Sequence, residues 1–392
     1  MIGAGPAGSA AARKSAQLGL RTLVLEKERM PRNKLCGGGV TPKVLKLLGF
    51  NLPDEIIESA PTSARIHVGR NCFKFHSTDP LVYMTSREKF DTLLARKATE
   101  AGAEVKDGTL VRNIERHRSY VKAQTTQGSF HAKMVIGCDG MSGPTPRMTG
   151  LYGHWQPCEV AYAMESEVRV GDEAVHEFMG PERYFDMYFG VSPAGYGWVF
   201  PKDDHLTVGV GCRLSKLHDG PELFKSFVGS VTELKGHEIP GPQAHLIPLG
   251  GAVRVPAVAD RVLLAGDSAG FAEPLLGEGI YFAIQGGQIA AEIAEEACRK
   301  GRFDAEFLRR YERRCKNAFG IDFEFAYQMA RESYLENYDM DRLAKFFFSA
   351  AKFHQCMIGL MDGSIRYREV RTKLAWLYLK YRLEKLGLPI PP

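Results

Sequence analysis

Residues 2–9, Ile2-Gly3-Ala4-Gly5-Pro6-Ala7-Gly8-Ser9, decide how the rest of the chain is read. The glycines stand at the spacing of a strand-to-helix turn that receives a dinucleotide. Gly3 permits the tight turn, Gly5 lets the backbone approach a pyrophosphate, and Gly8 lets the helix pack closely on the sheet. The helix N-terminus then offers N–H donors and partial positive charge to the phosphates. Glycine-rich turns are common, so context has to carry the assignment. An alanine-rich helical stretch runs from Ser9 to Gly19, and Arg21-Thr22-Leu23-Val24-Leu25 reads as a buried strand. That strand ends in Glu26, about twenty residues beyond the turn, where a carboxylate would meet a ribose hydroxyl. Only Met1 and Ile2 precede Gly3. The strand expected to feed the turn is therefore largely missing, and a start site placed too far downstream is the simple explanation.

At 392 residues the chain can hold two or three domains, each with a substantial core. A composition of 44% hydrophobic and 25% charged residues is that of an ordinary soluble globular protein. The net charge of +5 is only mildly basic. Without a zinc-finger, RNA-binding or basic-zipper pattern it does not argue for nucleic acid. The eight cysteines include no C-x-x-C pair, which speaks against a zinc ribbon or a dithiol centre, and no metal is expected. A chain that starts at the turn leaves no room for a signal peptide, so a reducing cytoplasm is the expected setting. No apolar run approaches the roughly 18 residues that span a bilayer.

Beyond Glu26 and Lys27 comes Lys34-Leu35-Cys36-Gly37-Gly38-Gly39. Three successive glycines fit neither a helix nor a strand interior. They indicate a loop pressed against a flat ligand or another segment, with a flexible loop as the alternative. Residues 61–76 form short strands. Ser86 is a candidate N-cap for a helix with an apolar stripe at Phe90, Leu93, Leu94 and Ala98. Arg87 lies at its start, where the macrodipole disfavours a cation; this suggests an anionic partner, with a solvated arginine as the alternative. Leu110 to Met134 reads as a meander, followed by a short apolar strand that ends in Cys138-Asp139-Gly140. Residues 156–248 are strand-like and aromatic, and read as a separate antiparallel sheet. Within them, Tyr196, Trp198 and Phe200 of Gly195-Tyr196-Gly197-Trp198-Val199-Phe200-Pro201 share one face. Taken alone, that face is sheet core as readily as a binding wall. A second buried strand, Arg261 to Ala265, ends in Gly266-Asp267, followed by Pro274, Gly277-Glu278-Gly279-Ile280 and a helix of small residues. From about Asp304 the pattern is helical. Its last part, residues 366–386, is basic, with Val370, Leu374, Leu377 and Tyr381 on one face.

Three motifs, Gly3-x-Gly5-x-x-Gly8, Cys138-Asp139-Gly140 and Gly266-Asp267, sit at strand ends across nearly 300 residues. This triple resembles the FAD-dependent family that includes aromatic hydroxylases and geranylgeranyl reductases. The Cys36–Gly39 loop and the Tyr-x-Trp-x-Phe-Pro strand look like the geranylgeranyl reductase branch, especially its archaeal lipid-reducing members. The resemblance implies an α/β fold (α+β overall), with a Rossmann-type FAD-binding domain over 1–60, 83–155 and 250–300. It implies an antiparallel substrate domain over 61–82 and 156–249, and a helical region over 301–392. FAD would contact Gly3, Gly5, Ala7, Gly8, Glu26, Lys27, Cys36, Gly37, Gly38, Arg87, Asp139 and Gly140. Further along, Gly266, Asp267, Pro274, Gly277, Gly279 and Ile280 would complete its site, with the last of these opening a helix at the flavin. The substrate would be an isoprenoid lipid held by Tyr196, Trp198, Phe200 and Pro201.

An isolated trisubstituted alkene has no carbonyl to polarise it, so its reduction needs a hydride and a proton on opposite sides. Tyr196 and Trp198 would line an apolar tunnel and steady developing positive charge, by ~0.5–2 kcal/mol per contact. Cys36 is the first candidate for the acid, with water as the alternative. Without a second dinucleotide turn, the electrons would come from transiently bound NAD(P)H or from a ferredoxin. The basic C-terminal helix is read either as solvated or as a peripheral membrane contact. The rivals are a flavin monooxygenase, a flavin-bearing lipid carrier without turnover, and a prenyl-quinone or chlorophyll side-chain reductase.

Overall fold

In the computed structural model, which describes residues 1–152, 155–250, 256–331, 344, 350–387 and 389, the all-apolar strand Leu23–Leu25 is largely buried. This is what a strand covered on both faces requires. It pairs in parallel with Glu104–Lys106. On its other side Ile2 forms parallel bridges to both Leu25 and Gly137. Val135–Gly137 runs parallel to Val262–Leu264, and Val258–Ala259 adds an antiparallel edge. The place of the strand expected to be missing is therefore filled by Met1 to Gly3. Ile2 N–H donates to Ile136 O at 3.0 Å, Gly3 N–H to Leu25 O at 2.8 Å, and Cys138 N–H to Ile2 O at 2.7 Å.

The helix Pro6–Gln17 opens on a proline, whose missing N–H has no intrahelical partner to lose at a first position. It packs against the long helix Ile280–Lys300 at small residues. A Cβ on Gly287 would lie 2.3 Å from Ala7 O, so only glycine permits this approach. Helix Arg87–Glu100 is capped as expected, with Ser86 Oγ accepting from Lys89 N–H at 3.3 Å. Its Phe90, Leu93 and Leu94 are buried against Ala10, Val44, Leu48 and Ile284. Val111–Arg116, Val121–Thr125 and Gly128–Ala132 form the expected meander.

Beside this half lies a seven-stranded sheet, in the order Gln243–Pro248, Val160–Arg169, His205–Arg213, Gly195–Pro201, Tyr184–Phe189, Ser63–Val68, Asn71–His76. It is the expected antiparallel sheet, with one parallel pair where Tyr184–Phe189 runs beside Ser63–Val68. A parallel pair needs a long crossover, and the chain between His76 and Tyr184 supplies one. One face of the sheet buries Met164, Val168, Val199, Val208 and Val210 under Asp172–Met179 and Gly220–Ser230. The other face looks onto the dinucleotide half.

The chain then continues through the helices Ala305–Leu308, Arg310–Cys315, Ile321–Ala330, Ala351–Asp362 and Tyr367–Lys385. Val370, Leu374 and Leu377 of the last one pack against Ala326, Cys356 and Leu360. The apolar face expected at a surface is thus turned inward; the side chain of Tyr381 lies outside the described residues. Among the described residues, no helix is long and apolar enough to cross a membrane.

Candidate active site

A cavity of about 1370 Å³ lies between the two halves. The turn contributes Gly3, Gly5 and Ala7, and the next strand contributes Glu26 and Lys27. Cys36, Gly37, Gly38, Arg87, Asp139 and Gly140 line its middle, and Gly266, Asp267, Pro274, Gly277, Gly279 and Ile280 line the far side. Tyr196, Trp198 and Phe200 form a wall of the same space. Two expected residues stand outside it. Gly8 lies behind the turn, where a Cβ would meet Gly3 O at 2.0 Å, so its role is close packing. Pro201 is buried where the strand ends, with its carbonyl accepting from Ser59 Oγ at 2.6 Å.

At the turn, Glu26 is engaged by backbone. Its Oε2 accepts from Ala4 N–H at 2.7 Å and its Oε1 from Glu28 N–H at 3.1 Å. Each oxygen keeps further acceptor capacity for the hydroxyl expected there. Arg87 forks onto Asp91 with both bonds at 2.8 Å, and Arg32 reaches the same carboxylate at 3.1 Å. Burial alone would lower the Arg87 pKa, but Asp91 and the Cys36 side chain hold it above its usual value. Asp91 is thus the internal anion that the position of Arg87 called for. A Cβ on Gly5 would lie 3.6 Å from an Arg32 nitrogen and 3.9 Å from an Arg87 nitrogen, so two cations stand over the turn. Asp139 accepts from Thr145 N–H at 2.8 Å and from Ser268 Oγ–H at 3.1 Å, tying two loops together while burial raises its pKa.

The loop from Pro274 to Ile280 is pinned along its length. The buried carboxyl of Glu273 accepts from Leu275 N–H at 2.5 Å and Leu276 N–H at 2.8 Å, and burial pushes it up to about 7. Arg213 Nη2 donates to Pro274 O at 2.7 Å, and the Tyr196 hydroxyl donates to Leu276 O. Glu278 pairs with Lys43 Nζ at 2.5 Å and accepts from Thr41 Oγ1 at 3.0 Å. Tyr196→Phe keeps the ring and removes one of these ties. It is expected to lower unfolding free energy by about 1 kcal/mol in denaturant titration and to speed amide exchange at Gly277 and Gly279.

The triple-glycine loop lies flat against the aromatic wall. A Cβ on Gly37 would sit 2.8 Å from the Phe200 ring and 3.3 Å from Trp198 Nε1. Gly38 has φ +76°, and a Cβ there would strike Thr85 O at 1.9 Å. The ring centroids run 5.9 Å from Tyr196 to Trp198 and 6.4 Å on to Phe200. Trp198 Nε1 is buried without a hydrogen-bond partner. Cys36 N–H donates to Glu165 Oε1 at 2.6 Å.

Several residues of the site went unanticipated. Lys34 Nζ bonds His245 Nε2 at 2.5 Å across 211 positions of sequence. Burial lowers both pKa values, and the Lys34 charge helps hold His245 down to about 4. Met357, Leu360, Met361 and Tyr367 bring the C-terminal helices into the wall. Glu165 lines the cavity between its two halves, and its only sequence signal was an acid at strand parity.

These elements fit FAD. The first turn of Pro6–Gln17 carries no acidic residue, and two arginines face it, as a pyrophosphate requires. Glu26 and Lys27 mark the ribose end, the pinned Gly277–Ile280 segment opens a helix at the other, and the orphaned indole N–H lies beside Gly37 of the triple-glycine loop. A family model described as an FAD binding domain matches residues 1–320. Digeranylgeranylglycerophospholipid reductase 2 of Methanothermobacter thermautotrophicus is 31% identical over 335 residues, covering 83% of this chain and 84% of that protein. The chloroplastic geranylgeranyl diphosphate reductase of Nicotiana tabacum is 30% identical over 337 residues, covering 79% of this chain and 69% of that protein. A geranylgeranyl bacteriochlorophyll reductase-like protein from Thermoplasma acidophilum superposes with a TM-score of 0.81 at 25% identity, covering 96% of this chain and 98% of that one. With the cofactor elements gathered around one cavity and kinship over most of its length, the chain belongs to the geranylgeranyl reductase family of FAD-dependent oxidoreductases.

Proposed function

We propose that this protein saturates isolated C=C bonds in the polyprenyl chains of lipids. The observation that carries the reading is the wall of Tyr196, Trp198 and Phe200, which faces the same cavity as the FAD-binding elements. When bound, FAD in its reduced form supplies hydride. The protein supplies the rest. Phe185, Met187, Met357 and Met361 give the cavity an apolar lining that takes a hydrocarbon and excludes water. The aromatic faces attract positive charge developing on the alkene, by ~0.5–2 kcal/mol per contact. The methionines adapt their shape to a branched chain. A lipid substrate is met at a lipid surface, and the C-terminal helix leaves Trp376 and Leu379 42% and 46% exposed beside Lys380. That face, rather than the inward one through Val370, is the one we assign to the membrane.

The test is to load the protein with FAD, reduce it with dithionite, and weigh unsaturated archaeal-type lipids after incubation. A gain of one pair of hydrogen atoms for each double bond reduced is expected. No gain on any isoprenoid lipid overturns the proposal.

A further inference from the structure

Along Val160–Arg169 the side chains alternate between two destinations. Met164 and Val168 enter the core under the two covering helices, whereas Ala161, Ala163 and Glu165 line the cavity. A carboxyl therefore stands in an otherwise apolar stretch of wall, only 5% exposed. Its Oε1 accepts from Cys36 N–H at 2.6 Å, and among the described residues no group binds Oε2. The register puts Glu165 opposite Gly209, and Gly209 opposite Trp198. Because Gly209 has no side chain, the indole lies across it, within 2.1 Å of where a Cβ would stand. The Trp198 ring thus extends from its own strand toward Glu165. Acid, indole and triple-glycine loop meet at one place in the cavity.

The charged groups around Glu165 are Glu167 on its own strand, Lys202 at the end of the aromatic strand, and Arg87 on the helix behind Cys36. Burial first, and Glu167 second, push its carboxyl up to about 7, against the opposing pull of the Cys36 N–H, Lys202 and Arg87. A carboxyl raised in this way can take up and release a proton around neutral pH. Glu167 is the next residue on the same face, about 7 Å along the strand, with its side chain 49% exposed. It accepts from Thr207 Oγ1 at 2.7 Å and pairs with His205 Nε2 at 3.1 Å, and His205 Nδ1 bonds Asp204 at 2.8 Å. This line of titratable groups leads to the surface.

We propose that Glu165 is the proton donor of the alkene reduction, reloaded from solvent by way of Glu167 and His205. The inference rests on the reductase reading above. In the step, the π bond of the alkene breaks. One carbon receives hydride from the reduced flavin cofactor, and the other receives the proton of the Glu165 carboxyl. Two C–H bonds form, the cofactor ends oxidised by two electrons, and Glu165 ends as a carboxylate that solvent protonates again. Cys36 acts here through its main chain, fixing the carboxyl with its N–H.

The decisive variants are Glu165→Gln, which keeps an acceptor for Cys36 N–H and has no acidic proton, and Glu165→Asp, which withdraws the acid from the cavity. FAD-loaded, dithionite-reduced protein is mixed with an isoprenoid lipid, and flavin reoxidation is followed in a single turnover. The wild-type rate is expected to fall as pH rises through about 7, where the carboxyl loses its proton. Glu165→Gln is expected to be at least about a hundredfold slower without that pH limb, and Glu165→Asp intermediate. FAD affinity, read from flavin fluorescence, stays unchanged in both. A readout without turnover is infrared spectroscopy of the substrate-free protein. Buried Glu273, also pushed up to about 7, contributes a protonated-carboxyl band of its own, so the signature is the wild-type minus Glu165→Gln difference, which shows a band that disappears through the same pH. An active wild type with equally fast variants, or the absence of that band, overturns the role of Glu165 alone. A wild type that reduces no isoprenoid overturns the reductase reading, and the proton-donor role falls with it.

Discussion

Asp91→Ala is expected to cost the fold about 3–5 kcal/mol and to leave the purified protein without FAD. The carboxylate is fully buried and receives both Arg87 and Arg32, whose side chains are only 9% and 12% exposed. Removing it strands the largely buried Arg87 guanidinium and leaves Arg32 with Glu26 alone, 3.5 Å away. The cost is that of uncompensated buried charge rather than of a lost surface ion pair, which would be about 0–1 kcal/mol. Both arginines stand over Gly5, so their rearrangement also disturbs the phosphate end of the cofactor site. The urea midpoint should fall with an unchanged m-value, and flavin absorbance should be lost on desalting. Asp91→Asn keeps the shape and one acceptor oxygen, and should fall between. A variant with wild-type stability and full flavin content would show that the arginines do not depend on Asp91.

Gly8→Ala is expected to produce the second large effect, from a single methyl group. Its Cβ would lie 2.0 Å from Gly3 O, 3.1 Å from Gly3 C and 3.2 Å from Cys138 Cβ. Gly3 cannot retreat, because its N–H is bonded to Leu25 O and the adjoining Ile2 O receives Cys138 N–H. The helix must move off the sheet instead, carrying its N-terminal N–H groups away from the phosphates. Overpacking of this kind costs about 1–3 kcal/mol. Expressed at the binding turn, it weakens FAD binding roughly tenfold to a hundredfold, measurable by fluorescence titration. Gly19→Ala is the control: nothing lies within 4 Å of its would-be Cβ, so any strain there stays remote from the cofactor.

What was legible in the sequence is what local spacing controls. The turn at Gly3–Gly8, the apolar strand after it, the Ser86 cap and the common face of Tyr196, Trp198 and Phe200 all follow from periods of two to four residues. Pairings across long separations were not legible. Lys34 meets His245, and Ser63–Val68 runs beside Tyr184–Phe189, through contacts that no short pattern encodes. Glu165 had the alternation of a strand residue. Which side of that strand is core depends on the helices Asp172–Met179 and Gly220–Ser230, which cover the opposite face. The stripe through Val370 and Leu374 was read correctly as apolar. Periodicity cannot say whether such a stripe meets lipid or protein, and here it meets the helices before it.

Gly209 has no part in the cavity surface, yet it decides how much of that cavity is filled. The Trp198 indole rests where a side chain on Gly209 would be, with Gly37 bare beside its nitrogen. Any larger residue at position 209 evicts the ring into the open space and shortens the room left for a guest. Cavity length in this chain is therefore adjustable from beneath the indole, at a position outside the cavity lining.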